Sequence, residues 1–484
     1  MRRLALCCFI LVCLVEPAGA KEIKIKGYVT NIVSPTVFEI EDYRITRDVS
    51  LVLEFEKDEE GGNVEFHPEE LRVGTLLEIK GDYDEKTGEL RAKSIKVILE
   101  EFKKIKRAAL IEHRPTIERG NSGWVGTFFA DGQSIQVDPS TQVLFKLTKS
   151  EQQLQKKEKK ELTSTQNPSD EEGFSPLMSL DQVTPNTFMS YQGLRLVDGS
   201  IRALRVEFQR NEMEKGEAKT WKGLKTSIKP PSFVEGKPGE LKIAQVGKYK
   251  LVPSEEAQRY IRELGDRLVP AYQKSLPAGD PQKIPFQFFL VEKKEINAFA
   301  LPNGIVVIYS SMFKVLENEA QLAAVMGHEI SHAIQEHYWR QHEYHKKKLM
   351  ALKIGAAVGS IWGGRAVTDI ANLIEGAVRN GYARSLENQA DRAGLEYMLD
   401  AGYDIREAPR VWKQMTKELG DQPTNFFWSN HDNNTTRRSY LMSELRMNYS
   451  NVDYSKLEKK EEPYRKVVSL VNSATLKTKI KVKH

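Results

Sequence analysis

Hydrophobic and polar positions follow one rhythm up to about residue 208 and another from residue 241 onward. In the first part, short apolar-polar alternations separated by glycine-bearing turns give the period-two pattern of half-buried strands. The pattern repeats imperfectly. "GYVTNIVSPTVFEIEDYRI" (27–45) is echoed by "GWVGTFFADGQSIQVDPST" (123–141), each a Gly-aromatic-Val strand, a turn and a second strand. "VGTLLEIKGDYDEKTGELRAKSIKV" (73–97) is echoed by "VTPNTFMSYQGLRLVDGSIRALRVEF" (183–208). The repeat predicts two small β-barrel-like modules, over 21–110 and 111–210, neither with evident chemistry.

Residues 150–175 are charged and poor in apolar positions, so they read as an insertion in the second module. Residues 211–240, with Pro230-Pro231 and many lysines, read as a linker. From Leu241, helical spacing alternates with short apolar runs. A helix is predicted over 254–272 with Ser254 as its N-cap, and strands at 286–292 and 304–310. Residues 317–341 contain no proline and read as one long helix, and 382–404 as another. The expected architecture is multidomain: two β-modules, then a mainly α, α+β domain over 241–447, then a polar, basic tail over 448–484.

At 484 residues the chain is too long for one core. Its charge of +5 is small, and Lys and Arg are interspersed with Asp and Glu. That leaves no continuous basic stripe, so nucleic acid is not an expected partner. The first twenty residues carry Arg2 and Arg3, an apolar run from Leu4 to Val15, and Ala18-Gly19-Ala20. This is the pattern of a cleaved signal peptide, too short to span a bilayer, and it predicts export to the bacterial periplasm. Cys7, Cys8 and Cys13 all lie in it. The mature chain would then hold no cysteine, and a metal site would have to use histidine and carboxylate.

The segment "HEISH" supplies both. On a helix, His328 and His332 lie one turn apart on the same face, and Glu329 sits roughly 100° around from His328. In such a geometry zinc acidifies a water and the glutamate takes its proton. His337 falls roughly 180° away on a continuous helix and is thereby excluded from the site. A catalytic zinc needs a third protein ligand, and Glu387 on the second helix is the candidate. Asp391, one turn on, can hold the free nitrogen of a ligand histidine. On these residues alone, a histidine-bearing helix and a solvated Glu387 stay open as the alternative.

Taken in order, "YIRELGDRLV" (260–269), "NAFALPNGIVVIYSSMF" (297–313), "HEISH", "ENQAD" (387–391) and "AGYD" (401–404) resemble the zinc metallopeptidases of family M48 over about 240–447. The resemblance implies a gluzincin fold, one Zn2+ per chain bound by His328, His332 and Glu387, and Glu329 as base. It also implies a strand edge at Asn297 and Ala298 that pairs with an extended substrate. "SNHDNNTTRRSYL" (429–441) resembles the family's Ser/Thr-x-His-Pro loop, with Asp432 in place of the proline. This makes His431 a catalytic candidate facing the metal and Arg437 a substrate-binding candidate. The stretch 349–378, with Gly355, Gly359 and Gly363, predicts a helix or hairpin over the site, with peripheral membrane contact as a second reading. The implied function is an endopeptidase acting on protein or peptide substrates, misfolded envelope proteins among them, while the β-modules bind a protein partner. The alternative is a chaperone-like binding protein with a gated metal domain.

Overall fold

A computed structural model of the chain describes residues 21–55, 71–98, 105–153, 173–196, 198–211, 226–228, 239–243, 246–280, 282–341, 382–419 and 434–481. Residues 1–20, most of the charged stretch 150–175 and of 211–240, the stretch 349–378 and His431 lie outside the described residues.

The first module contains β1 (Lys21–Tyr28), β2 (Asn31–Ser34), β3 (Val37–Ile40), β4 (Tyr43–Thr46), β5 (Leu53–Phe55), β6 (Leu76–Asp84) and β7 (Glu89–Ile98). They form one sheet in the order β1-β6-β7-β4-β3-β2. β7 pairs antiparallel with β6, and on its other side it pairs in parallel first with β4 and then with β5. Alternate residues such as Phe38, Ile40, Ile45, Ile79 and Ile95 fill its core.

The second module contains β8 (Ile105–Leu110), β9 (Glu118–Gly120), β10 (Gly123–Ala130), β11 (Gln133–Val137), β12 (Gln142–Lys146), β13 (Phe174–Pro176), β14 (Phe188–Arg195) and β15 (Ile201–Gln209). Its wiring repeats that of the first. β15 takes the part of β7, with β14 antiparallel on one side and β11 then β12 parallel on the other. β8 pairs with β14 as β1 pairs with β6. Two expectations are corrected here. The modules divide between residues 98 and 105, not at 110, because β8 pairs with β14. The partner of the β10–β11 hairpin is β3–β4, one hairpin later than the echo at 27–45, since all these hairpins share the same alternation. Among the described residues neither sheet closes into a barrel.

Part of the linker is ordered as β16 (Thr226–Ile228), which joins β17 (Glu240–Ile243) and β18 (Gly247–Lys250). The helical domain begins with α1 (Glu255–Leu268), whose N-cap Ser254 accepts from the Ala257 N–H. It stops before Pro270 and is followed by the short α2 (Ala271–Ser275). Next come β19 (Gln287–Val291), β20 (Ala298–Ala300) and β21 (Ile305–Tyr309), in the order β19-β21-β20 with β20 at the edge. The remaining helices are α3 (Glu319–Ile334), α4 (Arg384–Asp400), α5 (Ala408–Leu419), α6 (Asn434–Asn448) and α7 (Glu461–Lys481).

The helix expected over 317–341 ends at Ile334. Glu336 adopts φ +53°, and residues 337–341 resume as a separate helical turn. The tail is not merely polar either. Tyr464, Val467, Val471 and Ala474 of α7 lie at helical spacing and are buried, with Tyr464 stacked on Phe313. No described helix is long and apolar enough to cross a membrane.

α3 and α4 cross at two glycines. A Cβ on Gly327 would lie 3.2 Å from the Gly394 carbonyl oxygen, and one on Gly394 would lie 3.1 Å from the His328 nitrogen. With neither present, the backbones approach closely enough to bring side chains of both helices onto one point. Both β-modules dock on this pair and on α6. The Tyr28 N–H donates to Ser439 Oγ at 2.9 Å, and the Gln335 amide brackets the Leu110 peptide at 2.8 and 3.0 Å.

Candidate metal centre

His328 and His332 leave α3 on the same face and meet Glu387 from α4, all three buried. His328 Nε2 lies 2.9 Å from His332 Nε2 and 3.3 Å from Glu387 Oε2, while His332 Nε2 is 3.8 Å from Glu387 Oε1. One ligand atom from each falls within 4.8 Å of the others, as a single ion requires. Asp391 Oδ1 accepts from His328 Nδ1 at 2.9 Å, which turns the Nε2 lone pair toward the cluster. Two nitrogen lone pairs and a carboxylate oxygen converging in a buried space repel one another unless a positive charge sits among them. The donor set therefore fits a divalent cation of the zinc type.

The electrostatics follow from this crowding. Burial disfavours a charged His328, but the hydrogen bonds to Asp391 and Glu387 outweigh it and hold the imidazole up at about 9. His332 is pushed well below the ordinary histidine value by burial and by the positive charge on His328. Burial alone would raise the Glu387 carboxyl; Arg437 and the two histidines outweigh it and hold it below the usual carboxylate range. The cluster thus favours one positive charge, a proton on His328 or a metal ion in its place.

Glu329 is buried beside the ligands. Its Oε2 accepts from the Ala300 N–H at 2.9 Å, while Oε1 has no hydrogen-bond partner among the described residues. Burial pushes its carboxyl up to about 8, with His328 pulling the other way. A cation at the cluster would strengthen that downward pull.

Arg437, on α6, is spent on the ligands rather than on an open surface. Nη1 pairs with Glu387 Oε2 at 3.0 Å, and Nε and Nη2 clasp Asp391 at 3.1 and 2.6 Å. Its guanidinium lies 3.8 Å from the Trp412 ring centre, and only 3% of the residue is exposed. The substrate-binding expectation for Arg437 thus gives way to a structural position behind the carboxylates. At the two ends of β20, the Asn297 carbonyl accepts from the Tyr309 N–H and the Leu301 N–H donates to the Ile305 carbonyl. The backbone groups of Ala298 and Ala300 therefore face the outer edge, next to Glu329. Asn297 contributes its side chain there instead, accepting from the Ala298 N–H at 2.9 Å.

His337, excluded on the expectation of a continuous helix, is part of the site. The break at Glu336 swings it back until its Nδ1 lies 2.7 Å from His332 Nδ1. Gln389, Trp412 and Tyr382, whose ring stacks on His332 at 4.2 Å, were equally unmarked by the sequence pattern. Gln389 lies inside "ENQAD" and was the one legible clue.

With a buried His-His-Glu cluster, a glutamate beside it and a strand edge alongside, the helical domain has the parts of a metallopeptidase. Residues 255–445 match peptidase family M48. Residues 26–96 match a domain of unknown function, DUF5666. Over 187 residues the chain is 35% identical to the beta-barrel assembly-enhancing protease of Escherichia coli K12, a match covering 37% of this chain and 36% of the relative. A putative beta-barrel assembly-enhancing protease of Vibrio cholerae is 33% identical over 168 residues, 33% of each chain. The mitochondrial metalloendopeptidase OMA1 of Danio rerio is 28% identical over 174 residues, 34% of this chain and 36% of the relative. The chain spans about a third of the length of these relatives.

Proposed function

We propose that the chain is a zinc-dependent endopeptidase of gluzincin type, exported to the periplasm and acting in protein quality control of the cell envelope. The observation that carries this reading is the convergence of His328, His332 and Glu387 beside a Glu329 oxygen that has no hydrogen-bond partner among the described residues. When bound, zinc supplies Lewis acidity, acidifying a coordinated water and polarising the scissile carbonyl. Glu329 Oε1 accepts the proton of the attacking water and delivers it to the departing amine. The Ala300 N–H on Oε2 keeps the carboxylate turned to that task. A substrate lies extended along the outer edge of β20, pairing with the backbone of Ala298, as in other strand-addition complexes. Arg437 positions Glu387 and Asp391, and His431 is a further candidate for stabilising the oxyanion. The envelope setting is supported by the arginine-led apolar leader, by the confinement of cysteine to it, and by relatives named for beta-barrel assembly.

The test is metal dependence. Purified protein is expected to hold about one zinc per chain. It should cleave unfolded casein or envelope proteins, lose that cleavage to a chelator and regain it on zinc. A protein that holds zinc yet cleaves no unfolded substrate points to the chaperone-like alternative.

A further inference from the structure

The hydrogen bonds behind His332 run out of the metallopeptidase domain and into the second β-module. His332 Nδ1 meets His337 Nδ1 at 2.7 Å, and His337 Nε2 meets Gln389 Oε1 of α4 at 3.0 Å. The Gln389 amide nitrogen donates to Asp131 Oδ1 at 2.6 Å and to the Ala108 carbonyl at 3.2 Å. Both acceptors belong to the second module.

With both imidazoles neutral, these links admit one arrangement of protons. A carboxylate and a carbonyl face the Gln389 NH2, so its oxygen must face His337, and Arg340 also donates to that oxygen. His337 then carries its proton on Nε2 and offers the Nδ1 lone pair. His332 in turn carries its proton on Nδ1, and its Nε2 lone pair is left facing His328 and Glu387. Turning Gln389 over would reverse every link and put a proton on the atom that has to ligate.

Asp131 is built to hold that direction. It lies in the two-residue turn between β10 and β11, where Asp131 at φ +57° and Gly132 at φ +64° have the positive φ that a type I′ turn requires at both central positions. The turn abuts α4, since a Cβ on Gly132 would lie 2.6 Å from the Arg392 Cβ. Arg392 Nη2 lies 3.0 and 2.9 Å from the two carboxylate oxygens, its Nε donates to the Asp131 carbonyl at 2.8 Å, and Tyr191 OH donates to Oδ2 at 2.8 Å.

We propose that Asp131 is a positioning residue for the metal site: through Gln389 and His337 it fixes the tautomer of His332, which couples docking of the second β-module to metal binding. The inference rests on the metal-site reading above. Coupling is reciprocal, so metal must favour the docked module by as much as the docked module favours metal.

The experiment is a chelator competition for zinc on the full chain, with circular dichroism of each metal-free variant. Asp131→Ala should weaken zinc binding by about tenfold or more, the range of outer-sphere losses at metal sites. Gln389→Met should do the same while leaving the Asp131–Arg392 pair intact, and it decides the matter where Asp131→Ala does not fold. Asp131→Asn, which keeps an acceptor for the Gln389 amide, should recover most of the affinity. In the wild type, zinc should slow amide exchange at the 131–133 turn. A folded Gln389→Met with wild-type affinity overturns the proposal, as does an Asp131→Asn as weak as Asp131→Ala, which would leave only an ion-pair role. A wild type that binds no zinc removes the metal-site reading itself.

Discussion

Arg437 carries more of the site than its place in the sequence suggests. It is the cation that lets Glu387 and Asp391 share one buried corner, pairing with the first at 3.0 Å and the second at 2.6 Å. Arg437→Met should leave two buried carboxylates without their guanidinium partner and lower metal-free stability by about 3–5 kcal/mol, the cost of breaking a buried pair. Zinc should restore part of the loss, because it brings positive charge back, and melting with and without zinc reads both. At this scale, the residues whose helical spacing was legible, His328, Glu329, His332, Glu387 and Asp391, come together as one cluster. His337 was not legible, because neither glycine nor proline marks the left-handed turn at Glu336. Arg437 was legible only by resemblance, and with the wrong neighbours.

Between elements, the approach of α3 to α4 decides whether the ligands meet. Gly394→Ala would press a methyl group to 3.1 Å from the His328 nitrogen, a backbone atom that cannot step aside. A loss of about 1–3 kcal/mol is expected from such overpacking, with weaker zinc binding beside it, by melting and chelator competition. Equal stability with unchanged affinity would mean that the helices slide without cost. Element type was largely readable from apolar period, with Ser254 marking the start of α1 as expected. Strand pairing was not. β8 reads equally well as the end of one module or the start of the next, and only its register with β14 assigns it. The repeat was visible yet out of phase by a hairpin, since alternation identifies strands and not their partners. In phase, the β3–β4 and β10–β11 turns are equivalent, and each meets an arginine of the helical domain. Arg438 reaches Glu41 and Asp42, and Arg392 reaches Asp131.

For the whole molecule, the β-modules form part of the support of the metal centre, a relation that no local sequence pattern encodes. Their docking should also depend on pH. Glu112, from the second module, is buried with Tyr397 OH at 2.6 Å and Gln335 Nε2 at 3.1 Å. Burial pushes its carboxyl up to about 7, against those two hydrogen bonds and with help from Asp400 and Asp131. A raised carboxyl pKa means that the folded protein keeps a proton the unfolded chain has released. Its stabilising contribution is full below the ordinary carboxylate value and is lost as pH rises through about 7. Glu112→Gln should therefore raise stability at about pH 8 and change it little at about pH 4, in denaturant unfolding. A gain of the same size at both values would contradict this origin.

The central claim, that Glu329 is the base of a metal-dependent peptidase, is met most directly by comparing casein cleavage in the wild type and in Glu329→Gln at equal zinc content. Both proteins should hold zinc alike, and the variant should cleave slower by about a hundredfold or more, as for loss of a general base. Equal cleavage by the two at equal zinc would contradict it.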